Sequence, residues 1–416
     1  TLIMRPIWPL EEQCTYAMIL TKRLAGENGE PVQSPFASIA PRDQTQALLP
    51  AEELLGRYGL GVENVAFAWT FTTGRVTGDL VDIRRGLYGE GPFFDLETQF
   101  PAGVTEASPL HELELEGLNP YELATSTIME VLLDFDVIEG DGGQVIVDIY
   151  EEFSSHVVGG VFMTPNFLTD HDDDSIDDGD NWADERFHVD VATGEWTAEE
   201  ERVPFTCMLP KENDLHEAPY PVAIFGHGYQ SSRFESFTFM WGLARQGMAA
   251  CTIDYPGHGP RIDPELMGVV EVYLAAQGLT AFGDHLLDSR QRDLNNDGVP
   301  DSGGDQWSAD APHTRDMVRQ AAVDMIQLVR SLRSCGEGTM LLADGSDAMS
   351  CDWNQDGSID LGGPDVDYYM AGGSLGGINT GVAAGVMPEV KAFVPIVSGA
   401  GLVDVGLRTE ISGAVE

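Results

Sequence analysis

The C-terminal half of the chain alternates short apolar strands with helices, and this alternation constrains the fold more than any other feature. Units of this length are typical of a parallel sheet that is covered by helices on both faces. We therefore predict an α/β fold with a doubly wound, mainly parallel sheet. The predicted strands are residues 222–225, 249–253, 367–371 and 391–397, and the predicted helices are residues 235–246, 313–333 and 375–386.

Five strand-like segments without helices between them precede this region, which predicts an antiparallel opening to the sheet. They are residues 128–137, 144–150, 157–163, 187–191 and 203–208. The weakly patterned, Gly- and Pro-containing segment 81–123 is interpreted as a linker. The main domain, 124–416, would then carry acidic insertions at 168–184, 260–312 and 336–364.

Residues 1–80 have the pattern of a small β-rich module. Segments 14–24 and 65–74 are rich in β-branched and aromatic residues, as strands are. Residues 42–58 lie between a Pro and a Gly, which favours a helix. The stretches PLEEQCTYAMILTKRL and AFAWTFTTG resemble the Ig-like modules that are fused to secreted bacterial enzymes. This resemblance implies an Ig-like module at residues 1–80.

The charge of the chain restricts its partners. With 22 Lys and Arg against 69 Asp and Glu, the formal net charge is −47. Such a surface repels phosphate backbones, so nucleic acid is not expected as a partner. Metal-binding acidic loops, adaptation to salt and an acidic extracellular surface each stay open as explanations. No apolar run is long enough for a membrane-spanning helix.

The five cysteines are an odd number, so at least one is unpaired within the chain. Cys335 and Cys351 flank a Gly/Asp-rich loop, and a disulfide between them would close it. Five reduced thiols are the alternative, because free cysteines are commonly buried. The chain does not begin with Met, and we interpret it as a processed product or a fragment.

Residues 372–377 read GGSLGG and match the pattern G-x-S-x-G between a predicted strand and a predicted helix. A strand that turns into a helix within one residue leaves the serine on a strained backbone with its hydroxyl exposed. Gly372 and Gly376 have no Cβ, so the strand and the helix can approach closely. Ser374 is therefore the candidate nucleophile, and the N–H of Leu375 is a candidate oxyanion donor. The alternative is a Gly-rich turn without chemistry.

A second motif, FGHGY at residues 225–229, ends the strand predicted at 222–225, and DYPGHG at 254–259 follows the next strand. In this order, with the serine turn after them, the motifs resemble the α/β-hydrolase superfamily over about residues 125–416. The resemblance implies an esterase- or lipase-type serine hydrolase in which the N–H of Tyr229 is the second oxyanion donor. His227 and His258 are interpreted as loop-holding residues, because the family uses neither position as its base.

The same resemblance implies an acid and a histidine downstream of Ser374, but residues 375–416 contain no histidine. A serine nucleophile needs a base within hydrogen-bond reach. Three explanations stay open. The acid and the histidine lie on a segment outside this chain, and the sheet is incomplete at its C-terminal end. Alternatively, an upstream histidine is recruited, or the protein is a non-catalytic relative.

Two acidic segments repeat each other, DLNNDGVPDSGG at 293–304 and DWNQDGSIDLGG at 352–363. Each places oxygen-bearing side chains at alternate positions and a Gly at the sixth position, as calcium loops do. We predict two structural Ca²⁺ sites; solvated acidic turns are the alternative. The predicted ligands are Asp293, Asn295, Asp297, the Val299 carbonyl and Asp301 in the first loop, and Asp352, Asn354, Asp356, the Ser358 carbonyl and Asp360 in the second. A third acidic cluster, 170–178, is either a weaker calcium site or an acidic loop.

These features together predict an extracytoplasmic bacterial serine hydrolase that cleaves a small-molecule or lipid ester through an acyl-enzyme and is stabilised by Ca²⁺. Membrane or cell-surface association would need a segment outside this chain. Two other functions stay open. One is a calcium-binding surface or adhesion protein on a hydrolase scaffold without turnover. The other is a peptidase or polyester depolymerase with the same site, because acyl specificity depends on pocket shape.

Overall fold

The computed structural model describes residues 6–8, 10–34, 36–75, 77–112, 118–134, 141–169, 185–295, 297–308, 310–399 and 401–402. The chain divides into two compact units, Thr1–Asp79 and Leu80–Glu416. None of the helices in these ranges is long and apolar enough to cross a membrane. The acidic cluster at 170–178 lies outside the described residues.

The first unit is built on two antiparallel strands, β1 (Thr15–Thr21) and β2 (Val65–Thr72). Two short helices, α1 (Thr45–Leu48) and α2 (Ala51–Arg57), lie between them in the chain, so both strands and the helical region are where the sequence predicts them. An Ig-like domain, however, needs two sheets that pack face to face. The described part of this unit has one two-stranded sheet with helices, which differs from the predicted Ig-like module.

The remaining elements follow in chain order. They are α3 (Gly78–Leu87), α4 (Leu96–Gln99), β3 (Glu106–Ser108), β4 (Glu122–Ala124), α5 (Thr125–Asp134), α6 (Asp141–Phe153), β5 (Ser154–Asn166), β6 (His188–Asp190), β7 (Glu195–Thr197), β8 (Glu199–Pro210), β9 (Val222–Gly226), α7 (Met240–Ala244), β10 (Ala249–Ile253), α8 (Pro264–Ala276), α9 (Thr280–Leu287), α10 (Ala311–Arg333), β11 (Thr339–Leu341), β12 (Asp347–Met349), β13 (Tyr368–Gly373), α11 (Leu375–Ala384) and β14 (Ala392–Ile396).

The second unit contains a ten-stranded sheet in the order β12-β11-β3-β5-β8-β10-β9-β13-β14, with β4 also paired to β5. The four strands predicted from the α/β alternation form its parallel end, β10-β9-β13-β14. At the other end, the pairs are antiparallel, except that β11 pairs parallel with β3. The sheet is therefore mixed rather than mainly parallel. The reason is that the long strands β5 and β8 form an antiparallel centre, which the segments upstream of residue 222 supply.

Two predicted strands are wrong. Residues 128–134, from the first predicted strand, and residues 144–150 lie in α5 and α6. Their Val and Ile content suggested strands. The buried residues are instead spaced as on a helix face: Ile128 and Met129 on α5, and Val147 and Tyr150 on α6, all in one core. Tertiary packing on one face of the sheet decides in favour of the helix.

The segment 81–123 belongs to the core of the second unit rather than to a linker. Leu80, Ile83 and Leu87 of α3 and Phe93 after it are wholly buried. Their i, i+3, i+7 spacing on α3 is that of an amphipathic helix, and the Gly and Pro content of the segment concealed it. The predicted insertion 336–364 likewise contributes β11 and β12 to the sheet.

Helices cover both faces of the sheet, as predicted. Alternate residues of a strand point to opposite faces; on β8, Phe205 and Cys207 enter the larger core while Met208 enters the smaller one. Helices α10 and α11 pack on the larger-core face, and α5, α6 and α7 contribute to the smaller core. The burial of both faces explains why β9 and β10 are mainly apolar along their whole length.

Two disulfides lie in the second unit. Cys335 and Cys351 are bonded across the loop that they flank. A second disulfide joins Cys207 on β8 to Cys251 on β10, which face each other in the antiparallel register. All five cysteines lie in the described ranges, and Cys14 is free.

Candidate active site

Ser374 lies at the junction of β13 and α11, on a backbone conformation that residues with a Cβ rarely adopt. Its φ is 54° and its ψ is −113°, and the residue is exposed. Its N–H donates to the carbonyl of Ile396 at the end of β14 (3.0 Å), and its own carbonyl accepts from the N–H of Ile378 (3.0 Å). These bonds fix the residue between the sheet and the first turn of the helix. The geometry is that of the sharp turn expected from the G-x-S-x-G pattern.

The glycines around Ser374 permit a close backbone approach. A Cβ on Gly376 would lie 2.1 Å from the carbonyl oxygen of Gly226 and 2.8 Å from that of His227. A Cβ on Gly372 would lie 2.3 Å from the carbonyl oxygen of Gly376. All these neighbours are backbone atoms, which cannot rotate away as a side chain can. The start of α11 therefore packs directly on the ends of β9 and β13.

The loop that carries Tyr229 leaves the sheet at the same edge as Ser374. Strands β9 and β13 are parallel neighbours, and Gly226, the last residue of β9, pairs in register with Gly372. The residues that follow both strands therefore share one edge of the sheet. Leu375 is the first residue of α11, where N–H groups have no partner within the helix. This edge thus combines Ser374 with both predicted oxyanion donors.

Hydrogen bonds hold the Tyr229 loop in a tight turn. The N–H of Gly228 donates to Oε2 of Glu235 (2.7 Å), and the N–H of Ser231 donates to the carbonyl of Gly228 (3.3 Å). In the part of the chain that the structure describes, the backbone N–H of Tyr229 has no hydrogen-bond partner. It is free to donate to a bound group, as an oxyanion donor must be.

His227 and His258 hold loops, in keeping with the sequence-based interpretation. Both are fully buried. The N–H of Tyr255 donates to Nε2 of His227 (3.0 Å), so Nδ1 of His227 carries the proton and donates to the carbonyl of Gly228 (2.7 Å). Nδ1 of His258 lies 2.8 Å from the carbonyl of Pro256. Burial lowers the pKa of each imidazole to about 4, so both are neutral at neutral pH.

The contacts of two other buried histidines lie away from the serine. Nε2 of His285 is 2.9 Å from the hydroxyl of Thr206. The two ring nitrogens of His313 lie 2.8 and 3.1 Å from backbone carbonyl oxygens. Within the described ranges, which leave out His171, Oγ of Ser374 has no hydrogen bond to any histidine. Recruitment of an upstream histidine stays a prediction.

A buried ion pair that the sequence analysis missed supports this edge of the sheet. Arg233 is wholly buried, and its guanidinium pairs with the carboxylate of Asp254. The N–H of Arg233 also donates to Asp254 Oδ1 (2.6 Å), and its Nε donates to Oγ1 of Thr206 (3.2 Å). The pair ties the segment after the Tyr229 loop to the end of β10. The signal for this ion pair in the sequence was Asp254, an acidic residue directly after the buried strand β10.

The two acidic repeats have the same conformation. Gly298 and Gly357, at position six of each loop, have φ values of 87° and 89°, as the sharp turn requires. In both loops the aspartate at position one accepts hydrogen bonds from the backbone N–H groups of positions five and six. The asparagine at position three accepts from the N–H of position five. The aspartate at position five accepts from the N–H of position seven. The aspartate at position nine, Asp301 or Asp360, accepts from the N–H of position two.

The two loops differ in burial. In the first loop Asn295, Asp297 and Val299 are exposed. In the second, Asp352 and Asp360 are only 4% and 7% exposed. The described residues contain no group of three or more His, Cys, Asp or Glu side chains that could hold a metal; the predicted donor sets also include asparagine side chains and backbone carbonyls.

Comparison with known proteins leaves the family open, since no family model and no curated protein matches the chain. Similar solved structures include a cold-adapted esterase from an Arctic intertidal metagenomic library (15% identity, TM-score 0.25), over 57% of this chain and 59% of that one. Another is a ferulic acid esterase from Streptomyces cinnamoneus, with 11% identity and a TM-score of 0.29, over 59% of this chain and 61% of that one. A third is the rice cell wall degrading esterase LipA from Xanthomonas oryzae, with 12% identity and a TM-score of 0.23, over 70% of this chain and 48% of that one. Similarities this weak carry no argument about function.

Proposed function

We propose that this chain is a serine hydrolase that cleaves an ester, with Ser374 as the nucleophile. One observation carries the proposal: an exposed serine with φ of 54° ends a parallel strand, starts a helix and lies at the same sheet edge as the unpartnered N–H of Tyr229. A hydroxyl at such a turn is open to substrate on one side and lies next to amide donors on the other.

The reaction follows from these groups. Oγ of Ser374 attacks the acyl carbonyl carbon and loses its proton to a base. The N–H groups of Leu375 and Tyr229 would stabilise the negative charge on the tetrahedral oxygen. Collapse of this intermediate breaks the ester C–O bond, and the alcohol leaves with the proton. Water then attacks the acyl-enzyme, which releases the carboxylic acid and restores the serine.

The identity of the catalytic base stays a prediction from the sequence. Of the histidines beside the site, His227 and His258 have low pKa values and are held by loop contacts. We therefore assign neither of them the role of general base. The resemblance to the α/β-hydrolase superfamily implies a histidine and an acid that follow the serine in sequence.

An extracytoplasmic location is part of the proposal. Two disulfides, Cys207–Cys251 and Cys335–Cys351, support it, because disulfides persist mainly in oxidising compartments. The acidic character of the chain, with its net charge of −47, is compatible with a neutral ester substrate and unfavourable for a polyanionic one.

Fluorophosphonate labelling tests the function. We expect the full-length protein to react once, with a bond formed between Oγ of Ser374 and phosphorus and fluoride released. Peptide mass spectrometry would locate the adduct, and the Ser374→Ala variant is the control. A folded protein that is not labelled would support the rival function, a calcium-binding surface protein without turnover.

We further propose that the second acidic loop, residues 352–363, binds a structural Ca²⁺. A buried carboxylate is costly unless it is hydrogen-bonded, paired with a cation or bound to metal. Asp352 and Asp360 are buried close together, and neither has an ion pair with Lys or Arg among the described contacts. Burial, with Glu122 and Asp352 nearby, raises the pKa of Asp360 to about 6. Oxygen donors of this kind suit a hard cation.

Removal of calcium should lower the melting temperature. A ligand that binds only the folded state at a hundred times its Kd adds about 2.7 kcal/mol to the free energy of unfolding. We expect EGTA to remove a contribution of this order, and added Ca²⁺ to restore it. Asp352→Asn, in the second loop, should reduce the EGTA-induced fall in melting temperature more than Asp293→Asn, in the first loop. The reason is that the first loop is more exposed. A melting curve that EGTA leaves unchanged would contradict the proposal.

A further inference from the structure

An apolar cavity of about 280 Å³ lies beneath α8 in the second unit. Four elements form its walls: α5, the 3₁₀ helix Arg233–Thr238, α8 and α9. Their side chains at the wall include Val131, Phe237, Val270 and Phe282. Arg261 and Asp263 at its edge are exposed, so the cavity opens to solvent. Apolar pockets with a few polar groups at the edge are typical of binding sites for small molecules.

The cavity is connected to the loop that carries Tyr229. At its mouth, Arg261 donates to Oε1 of Gln230, the residue directly after Tyr229 (3.4 Å). A larger cleft of about 880 Å³ is lined by Gln230 and shares Arg261, Ile262 and Asp263 with the cavity. The cleft therefore adjoins the cavity at Arg261 and reaches the residue next to the proposed oxyanion donor Tyr229.

The wall nearest to the Tyr229 loop is rigid. Phe234 and Phe237 lie on the 3₁₀ helix that follows this loop, and their rings stack at 5.8 Å. The buried pair of Arg233 and Asp254 anchors the start of the same helix. Phe234 also meets Phe282 of α9 edge to face at 6.3 Å. The cavity is thus preformed by packed side chains, which reduces the ordering cost of binding.

The chemistry of the wall selects the ligand. The charged lining residues are Arg261 and Asp263, and both are exposed; the rest of the lining is aliphatic or aromatic. A charged or hydroxyl-rich group would lose its hydration there without a hydrogen-bond partner. An unbranched hydrocarbon has no polar group to desolvate, and each methylene that leaves water contributes favourably to the free energy of binding.

We propose that this cavity binds the aliphatic chain of the ester substrate, so that the enzyme prefers esters with a medium-length chain over acetyl esters. The inference rests on the proposed ester hydrolysis at Ser374 and identifies its substrate class. Val270, on α8, is the residue whose enlargement would fill the cavity. Val269, its neighbour on the same helix, is 57% exposed and lines no part of the cavity.

The test compares p-nitrophenyl octanoate with p-nitrophenyl acetate on wild type, Val270→Phe and Val269→Phe. We expect wild type to favour octanoate, and Val270→Phe to lower the octanoate-to-acetate ratio of kcat/KM about tenfold or more. Val269→Phe should keep the wild-type ratio, and all three should melt alike. A wild type that prefers acetate, or an equal loss on both esters in Val270→Phe, would overturn the inference.

A binding measurement separates this inference from the proposed function. Saturation-transfer NMR with 1-octanol on the Ser374→Ala variant needs no turnover. Binding that Val270→Phe removes and Val269→Phe retains would support the cavity even if wild type hydrolysed no ester. Equal signals in all three backgrounds would overturn it, whatever the activity.

Discussion

Replacing Ser374 by alanine is expected to lower kcat/KM for any ester that the protein cleaves by at least about 10⁴-fold. The hydroxyl is the atom that forms the acyl-enzyme, and without it the remaining groups only bind and polarise the substrate. Steady-state hydrolysis of a chromogenic ester by purified wild type and variant measures the effect.

The folding of this variant serves as its control. The described residues include no hydrogen-bond partner for Oγ of Ser374, and the residue is exposed. Alanine also keeps the Cβ that the strained backbone already accommodates. The melting temperature should therefore stay close to that of wild type. A variant that melts normally and still turns over the ester would assign the nucleophile to another residue.

Gly376→Ala is expected to reduce both stability and activity. Its Cβ would lie 2.1 Å from the carbonyl oxygen of Gly226 and 2.5 Å from the carbonyl carbon, so β9 and α11 must move apart. Overpacking of this kind typically costs about 1–3 kcal/mol of unfolding free energy. A shift of about 1 Å in the serine or its amide donors can lower the rate about 10²-fold. Chemical denaturation and ester kinetics measure the two effects.

Gly381→Ala in the same helix provides the matched control. Gly381 is exposed, and nothing lies within 4 Å of the position of its Cβ. Alanine in a helix interior is more favourable than glycine by about 0.5–1 kcal/mol. We therefore expect a small gain in stability and unchanged kinetics. If Gly376→Ala behaved in the same way, the close approach of β9 and α11 would be wrong.

The N-terminal part of the main domain was the least predictable from sequence. In α5 and α6, β-branched residues occupy a helix face that becomes buried only because it meets the sheet. At the start of the segment 81–123, the apolar pattern formed with Leu80 by Ile83 and Leu87 is short and is followed by Gly and Pro residues. A short pattern of this kind suits a loop, a strand or a helix, and long-range packing decides between them.

Residues close together in the chain were enough to locate the serine turn and the two acidic loops. The pattern G-x-S-x-G predicts the turn because a strand, one strained residue and a helix follow each other directly. The position of Gly298 and Gly357 predicts the positive φ of each acidic loop because the turn is local. Strands β9 and β10 of the parallel end, which are buried throughout, are likewise readable from composition alone.

Contacts between distant segments were decided only by the tertiary structure. The parallel register of β9 and β13 brings the Tyr229 loop to the edge that carries Ser374, although 145 positions separate Tyr229 from Ser374 in the chain. The same holds for the Cys207–Cys251 disulfide and the cavity beneath α8. Register and packing depend on how whole elements bury their surfaces together, and no short stretch of sequence contains that information.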